Sequence, residues 1–142
     1  MPSRMHQMLV GLIGRKMREK GYEIVAFDGN EYKFDGQVLP LPPSIGRHRP
    51  DIIGYRFESR SVCIGEAKTG RDLRSDRTKT QLIDFSQART LTNNEPVEII
   101  IGIPQSYVKD LISLLDMLGI TNKQTISYVY IPEELVDGTE KN

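Results

Sequence analysis

Asp51, Glu66 and Lys68 interrupt two apolar segments, Pro50-Asp51-Ile52-Ile53-Gly54 and Val62-Cys63-Ile64-Gly65-Glu66-Ala67-Lys68, on either side of the polar stretch Glu58-Ser59-Arg60-Ser61. Two apolar segments around a short polar loop read as a β-hairpin whose strands sit in a core. Burying three charges there is costly unless something compensates. Asp51 and Glu66 have fourteen residues between them, so the hairpin makes them neighbours on paired strands. Glu66 and Lys68 are two apart on one strand and point to the same face. Two carboxylates a few ångströms apart repel unless a proton or a cation intervenes. Carboxylate and carbonyl oxygens suit Mg2+, with Mn2+ able to substitute. The main-chain carbonyl of Ala67 is the natural extra ligand between the two side chains. An ion so held lowers the pKa of a bound water and stabilises charge on a phosphate. Lys68 would orient that water or stabilise the developing phosphorane. Phosphodiester hydrolysis is the chemistry the trio fits best. The bland alternative is a weak exposed salt bridge at the sheet edge. Glu31-Tyr32-Lys33 repeats the acid-x-Lys spacing and reads as an exposed hairpin pair. The Glu66 site differs because it ends an apolar strand, faces Pro50-Asp51 and lies between arginine-rich loops.

Several elements must position these groups. Residues 3–20 predict an amphipathic helix, with Met5, Met8, Leu9, Leu12, Ile13 and Met17 on one face. Ser3 would cap it and Gly21 would stop it. His6 falls beside the apolar stripe in the first turn. Tyr22 to Phe27 reads as a strand, with short candidate strands at Tyr32 to Phe34 and Val38 to Leu39. Pro40, Pro42 and Pro43 force an extended stretch, and the loop Ser44 to Arg49 delivers the chain to Asp51. After Lys68, a polar loop precedes a helix expected from about Thr78 to Leu91. Val97 to Ile103 is almost continuously apolar, as a strand covered on both faces should be. A further helix is expected from Pro104 to Leu118 and a last strand from Ile126 to Ile131, before a polar tail at 137–142 that should fray. This order predicts an α/β fold, a mixed central sheet flanked by helices, in one domain over residues 1–142.

Composition narrows the class. The chain has 142 residues, 38% of them apolar and 27% charged, which suits a soluble globular protein. No apolar run approaches the ~20 residues of a membrane span, so no membrane partner is expected. Cys63 is the single cysteine, which excludes an internal disulfide and a cysteine-rich zinc site and points to a reducing cytoplasm. Net charge is zero, but residues 1–80 carry fifteen Lys/Arg against ten Asp/Glu, and residues 81–142 carry four against nine. One end is therefore basic, as a surface that binds the nucleic-acid backbone would be. Arg47, Arg49, Arg71, Arg74 and Arg77 flank the trio, and arginine forks match phosphate geometry.

Pro50-Asp51 followed by Glu66-Ala67-Lys68 resembles the PD-(D/E)xK nuclease superfamily, which includes restriction endonucleases and archaeal Holliday-junction resolvases. The likeness covers roughly residues 3–103, and Gly46 to Gly54 is similar to the resolvase-like segment that leads into the aspartate. The resemblance implies a restriction-endonuclease-like core and a Mg2+-dependent deoxyribonuclease that cuts DNA internally, on branched junctions in the resolvase branch. It implies that Asp51 and Glu66 bind the metal and that Lys68 assists the attacking water. A glutamine on the following helix contributes in several branches; Gln81 is the best match and Gln87 the second. Many members carry a glutamate on the first helix. Here no acid occurs in that helix before Glu19, so His6 or Gln7 takes that place or the ligand is missing. A compact chain that cuts two strands is expected to work as a homodimer. The alternatives are a non-catalytic nucleic-acid-binding or assembly module with the same fold, and a small-ligand or protein-interaction α/β domain with an edge salt bridge.

Overall fold

The computed structural model describes residues 3–29, 34, 36–120 and 125–135. The elements run α1 (Arg4–Glu19), β1 (Glu23–Phe27), β2 (Ile52–Arg56), β3 (Ser61–Ala67), α2 (Asp76–Ser86), β4 (Glu98–Pro104), a short 3-10 turn (Gln105–Tyr107), α3 (Val108–Met117) and β5 (Ile126–Ile131). The five strands lie in the order β1-β2-β3-β4-β5. The first three pair antiparallel and the last three parallel. A mixed sheet follows from the connections: a tight turn joins β2 to β3, whereas α2 and α3 carry the chain back for the parallel strands.

Helices cover both faces. Leu9, Val10, Ile13 and Met17 of α1 pack with Ile24, Ile52, Cys63, Ala67 and Ile100. On the other face, Leu82 and Phe85 of α2 and Leu111 and Leu114 of α3 pack with Ile64, Ile99, Ile101 and Ile103. Contact between α1 and the sheet is close because glycines line its path. A Cβ on Gly65 would sit 2.5 Å from Ile13 Cγ2, and one on Gly102 would sit 2.9 Å from Ile13 Cδ1.

The expected first helix is present. The Ser3 hydroxyl accepts the His6 main-chain N–H at 3.1 Å, and Gly21 at φ 88° follows the last turn. Other boundaries shift. Ser75 caps α2 by accepting the Thr78 N–H at 3.1 Å, so that helix starts at Asp76, not Thr78. It stops at Ser86, not Leu91, because the chain turns back there: Val97 N–H donates to the Ala88 carbonyl at 3.2 Å, and Arg89 bridges Pro96. Pro104 closes β4 instead of opening a helix, and α3 begins at Val108 after the 3-10 turn. Val38 and Leu39 form no strand; their neighbour Pro40 gives its carbonyl to Phe27 N–H at 2.9 Å, and Gln37 bridges only Phe34. Tyr32, the Glu31-Tyr32-Lys33 triplet and the tail at 137–142 lie outside the described residues.

Candidate active site

Backbone register brings the charged trio together. The last paired residues of the β2–β3 hairpin are Ile52 and Gly65, which sets Asp51 and Glu66 one step further, across from each other. Asp51 lies at a bend: its main-chain N–H donates to Gly65 O at 3.1 Å, while its carbonyl accepts Asp28 N–H at 2.9 Å. Its side chain folds back over the end of β3, where Oδ2 accepts the Ala67 N–H at 2.8 Å. Main-chain N–H and C=O of one strand residue point to the same side. The Ala67 carbonyl therefore faces the edge where Asp51 sits. The Lys68 N–H instead donates to Gly102 O at 2.9 Å, extending the ladder to β4.

Glu66 and Lys68 are each only 5% exposed. The Lys68 ammonium lies 3.5 Å from Glu66 Oε2 and donates to Gln81 Oε1. Gln81, itself buried, donates through Nε2 to Glu66 Oε2 at 3.4 Å. It reaches the site from α2, where Thr78, Gln81, Leu82 and Phe85 form the buried stripe. Gln87 is the exposed C-cap of the same helix. Glu66 Oε1 is buried and has no hydrogen-bond partner among the described residues. Burial first, and the Asp51 charge next, push the Glu66 carboxyl well above the usual carboxylate range. A cation beside Oε1 would relieve both effects, so the donor set fits a hard divalent ion. Asp51, Glu66 and the Ala67 carbonyl are the groups that could hold it.

His6 closes the site from α1. Its Nε2 lies 3.4 Å from Asp51 Oδ2. That contact is the main cause holding the imidazole above its usual range, against desolvation. Gln7 is exposed on the adjacent helix position. Among the described residues, no group of three or more His, Cys, Asp or Glu side chains is placed to hold a metal ion.

One acid escaped the sequence reading. Asp72 Oδ2 lies 4.0 Å from the Lys68 ammonium. The Thr78 hydroxyl donates to the Asp72 carbonyl at 2.7 Å and so pins the loop that carries it. That loop departs through Gly70 at φ 111°, where a Cβ would lie 2.3 Å from the Tyr107 ring. The only sequence signal was an acid four residues after Lys68, inside a run otherwise read for its arginines.

The five arginines divide. Arg47 grips Asp84 of α2 through its guanidinium at 2.8 Å and its main-chain N–H at 2.9 Å. His48 joins the same helix, with Nε2 2.8 Å from the Thr80 hydroxyl. Arg47 holds the Asp84 carboxyl down to about 2. These bonds anchor the loop that feeds Asp51, an intramolecular task for Arg47 that its sequence neighbourhood did not disclose. Arg74 lies 3.4 Å from Asp110, and Arg49, Arg71 and Arg77 are exposed, as Arg47 and Arg74 also are.

No family model and no curated protein matches the sequence. The fold does have a solved counterpart, a repair endonuclease from Pyrococcus abyssi, at a TM-score of 0.50 and 12% identity over 93% of this chain. The fold is nuclease-like. This chain spans 48% of that endonuclease's length, so the likeness concerns about half of the larger protein. The mixed sheet flanked by helices is the architecture the sequence predicts. Among the described residues, no helix is long and apolar enough to cross a membrane.

Proposed function

We propose that this chain is a metal-dependent DNA endonuclease that hydrolyses phosphodiester bonds. One observation carries the reading: a buried Glu66 with an unpartnered Oε1 stands across from Asp51 and beside Lys68. Asp51, Glu66 and the Ala67 carbonyl would hold Mg2+, or Mn2+ in its place. Bound there, such an ion lowers the pKa of water and offsets charge on the phosphate. Lys68 would orient the attacking water and stabilise negative charge as it develops. Gln81 holds that ammonium in place, which fixes its direction before substrate arrives. His6 would steady Asp51 where a first-helix acid stands in the resembled family, and Gln7, one position on, is exposed. Arg49, Arg71 and Arg77 would contact phosphates without reading sequence. The structural counterpart's description as a repair endonuclease agrees with DNA as substrate. Branched, Holliday-junction-like DNA is one substrate form beside duplex and single strands, and a homodimer would supply a second site for the opposite strand.

A second reading has one observation in its favour. Among the described residues no third acid or imidazole is placed to join a metal site, and on that ground the chain would be a non-catalytic nucleic-acid-binding module that keeps the nuclease-like fold. Purified protein incubated with plasmid, single-stranded and four-way-junction DNA, with and without Mg2+, separates the two. Cutting that requires Mg2+ and disappears in Asp51→Asn, Glu66→Gln and Lys68→Ala supports the endonuclease. Binding without cutting at any Mg2+ concentration supports the module. Cutting that persists in all three variants refutes the site. Light scattering of the protein with and without junction DNA tests the homodimer.

A further inference from the structure

Helix α1 turns Leu9, Val10, Ile13 and Met17 to the sheet. Its opposite side carries Arg4, Gly11, Arg15 and Arg18, all exposed. Spacings of seven, four and three residues keep these on one side of a helix. The helix's first acid is Glu19, which lies 3.8 Å from Lys16. Charged positions on this ridge before Glu19 are thus all basic.

Ordinary helix physics accounts for part of that. Cations at the C-terminal end suit the helix dipole, but Arg4 sits in the first turn, where a cation is disfavoured and no acid is present. Gly11 is the second, independent oddity. It occupies an exposed mid-helix position where glycine weakens a helix relative to alanine. A Cβ built there would meet nothing within 4 Å among the described residues, so packing inside the chain does not require glycine. Glycine at such a place suits the close approach of another backbone.

The ridge also has a direction. His6, in the first turn, contacts Asp51 at the candidate active site, and Lys20, just past the last turn, pairs with Glu98 at the start of β4. The N-terminal end of α1 therefore lies beside the site, with its outer ridge on the side of the helix away from His6. Arg4 and Arg15 are eleven residues apart, about 16 Å along the axis, the reach of a few phosphates on a duplex strand.

We propose that the outer ridge of α1 is a phosphate-backbone track for the duplex that flanks the cleaved bond. Arg4 and Arg15 contact phosphates, and Gly11 lets the sugar-phosphate chain lie against the helix. Arg18, 5.5 Å from the centre of the Phe34 ring, flanks the track. The contacts are to phosphates and are sequence-independent. This inference rests on the endonuclease reading only in taking DNA as the substrate.

Fluorescence anisotropy of the full chain on a duplex of about 20 base pairs, in EDTA so that nothing is cut, tests it. Each lost phosphate contact lowers the slope of log K against log salt by about 0.9. Arg4→Ala with Arg15→Ala should therefore lower the slope by about 2 and weaken binding at least tenfold at the lower salt concentrations. Gly11→Gln should raise the thermal midpoint, because glutamine is the better helix former, and still weaken binding. Unchanged slope in the Arg4/Arg15 variant, while an Arg71→Ala, Arg77→Ala variant does lower it, overturns the track and leaves the endonuclease reading intact. A Gly11→Gln protein that binds DNA like the parent overturns the role given to that glycine. Absence of salt-sensitive binding by the unmutated chain overturns both proposals.

Discussion

Lys68→Met removes the ammonium that faces the buried Glu66 carboxylate and leaves a side chain of similar length in its place. Before the change, Lys68 lies 3.5 Å from Glu66 Oε2 and is bonded to Gln81. Afterwards Glu66 has an amide partner at 3.4 Å, a buried Oε1 without any partner, and the Asp51 charge across from it. Stranding one member of a buried pair costs about 3–5 kcal/mol. The Asp72 contact adds little, because at 4.0 Å and half exposed it is a surface pair. Glu66 can also escape part of the penalty by taking a proton, so the lower end, about 3 kcal/mol, is expected. In a chain of this size that is roughly a 10 °C fall in melting temperature. The pH dependence follows from the direction of the Glu66 shift. Its folded-state pKa is raised, so stability is fully present below the ordinary carboxylate range and is lost as pH rises through the raised value. Losing Lys68 raises that pKa further. The deficit of Lys68→Met should therefore be small from pH 5 to 7 and grow as pH rises past about 8, the value to which the parent carboxyl is already raised. Adding Glu66→Gln removes the stranded charge and should restore most of the loss, a coupling that a double-mutant cycle measures directly. Thermal and urea unfolding of the four proteins at both pH values is the assay. With the higher pH taken as 9.5, equal deficits at pH 5 and pH 9.5, or no deficit at pH 9.5, would refute the buried pair. Added Mg2+ is a companion measurement: at ten times its dissociation constant it should stabilise the parent by about 1.4 kcal/mol and leave Glu66→Gln unchanged.

Other expectations follow from single contacts. Asp51→Asn keeps an acceptor for Ala67 N–H but loses the charge; cutting should fall at least ~100-fold while DNA affinity in EDTA holds, as comparison of turnover with anisotropy will show. Gly65→Ala forces a Cβ to within 2.4 Å of Ile52 Cγ2 and 2.5 Å of Ile13 Cγ2, so overpacking between α1 and the sheet should cost about 1–3 kcal/mol in urea unfolding. Arg47→Ala takes the guanidinium from Asp84 and leaves the main-chain N–H bond at 2.9 Å. Because the Asp84 pKa is depressed from 3.8 to about 2, its contribution is present above the ordinary value and lost as pH falls through the depressed one. Circular dichroism during acid titration should show that loss between pH 4 and 2 in the parent and a smaller loss in the variant.

Why the charged trio could be read from the chain, and the arginines could not, comes down to what burial does to a pattern. An acid in an apolar strand breaks an alternation, so Glu66 and Asp51 stood out, and a two-residue spacing on one strand put Lys68 on the same face as Glu66 without any knowledge of the fold. Gln81 was legible for a related reason: it lies three residues after Thr78 and four before Phe85, inside the stripe that α2 buries, whereas Gln87 falls beyond the last turn. His6 obeys the same rule more weakly, three residues before the fully buried Leu9 and seven before Ile13. Exposed arginines break no pattern. Arg47 resembles Arg49 in sequence, and only the docking of α2 brings in Asp84, thirty-seven positions later, to engage one and not the other. The boundaries of α2 went astray for a comparably local cause, since Ser75 offers a cap that moves the helix start before the first apolar periodic residue. Catalytic geometry in such a chain is then of two kinds. The part that opposes burial is visible as a violation of composition. The part proposed to steer DNA lies on the surface, where exposed Gly11 and the first-turn Arg4 are conspicuous only because helix physics disfavours each where it stands.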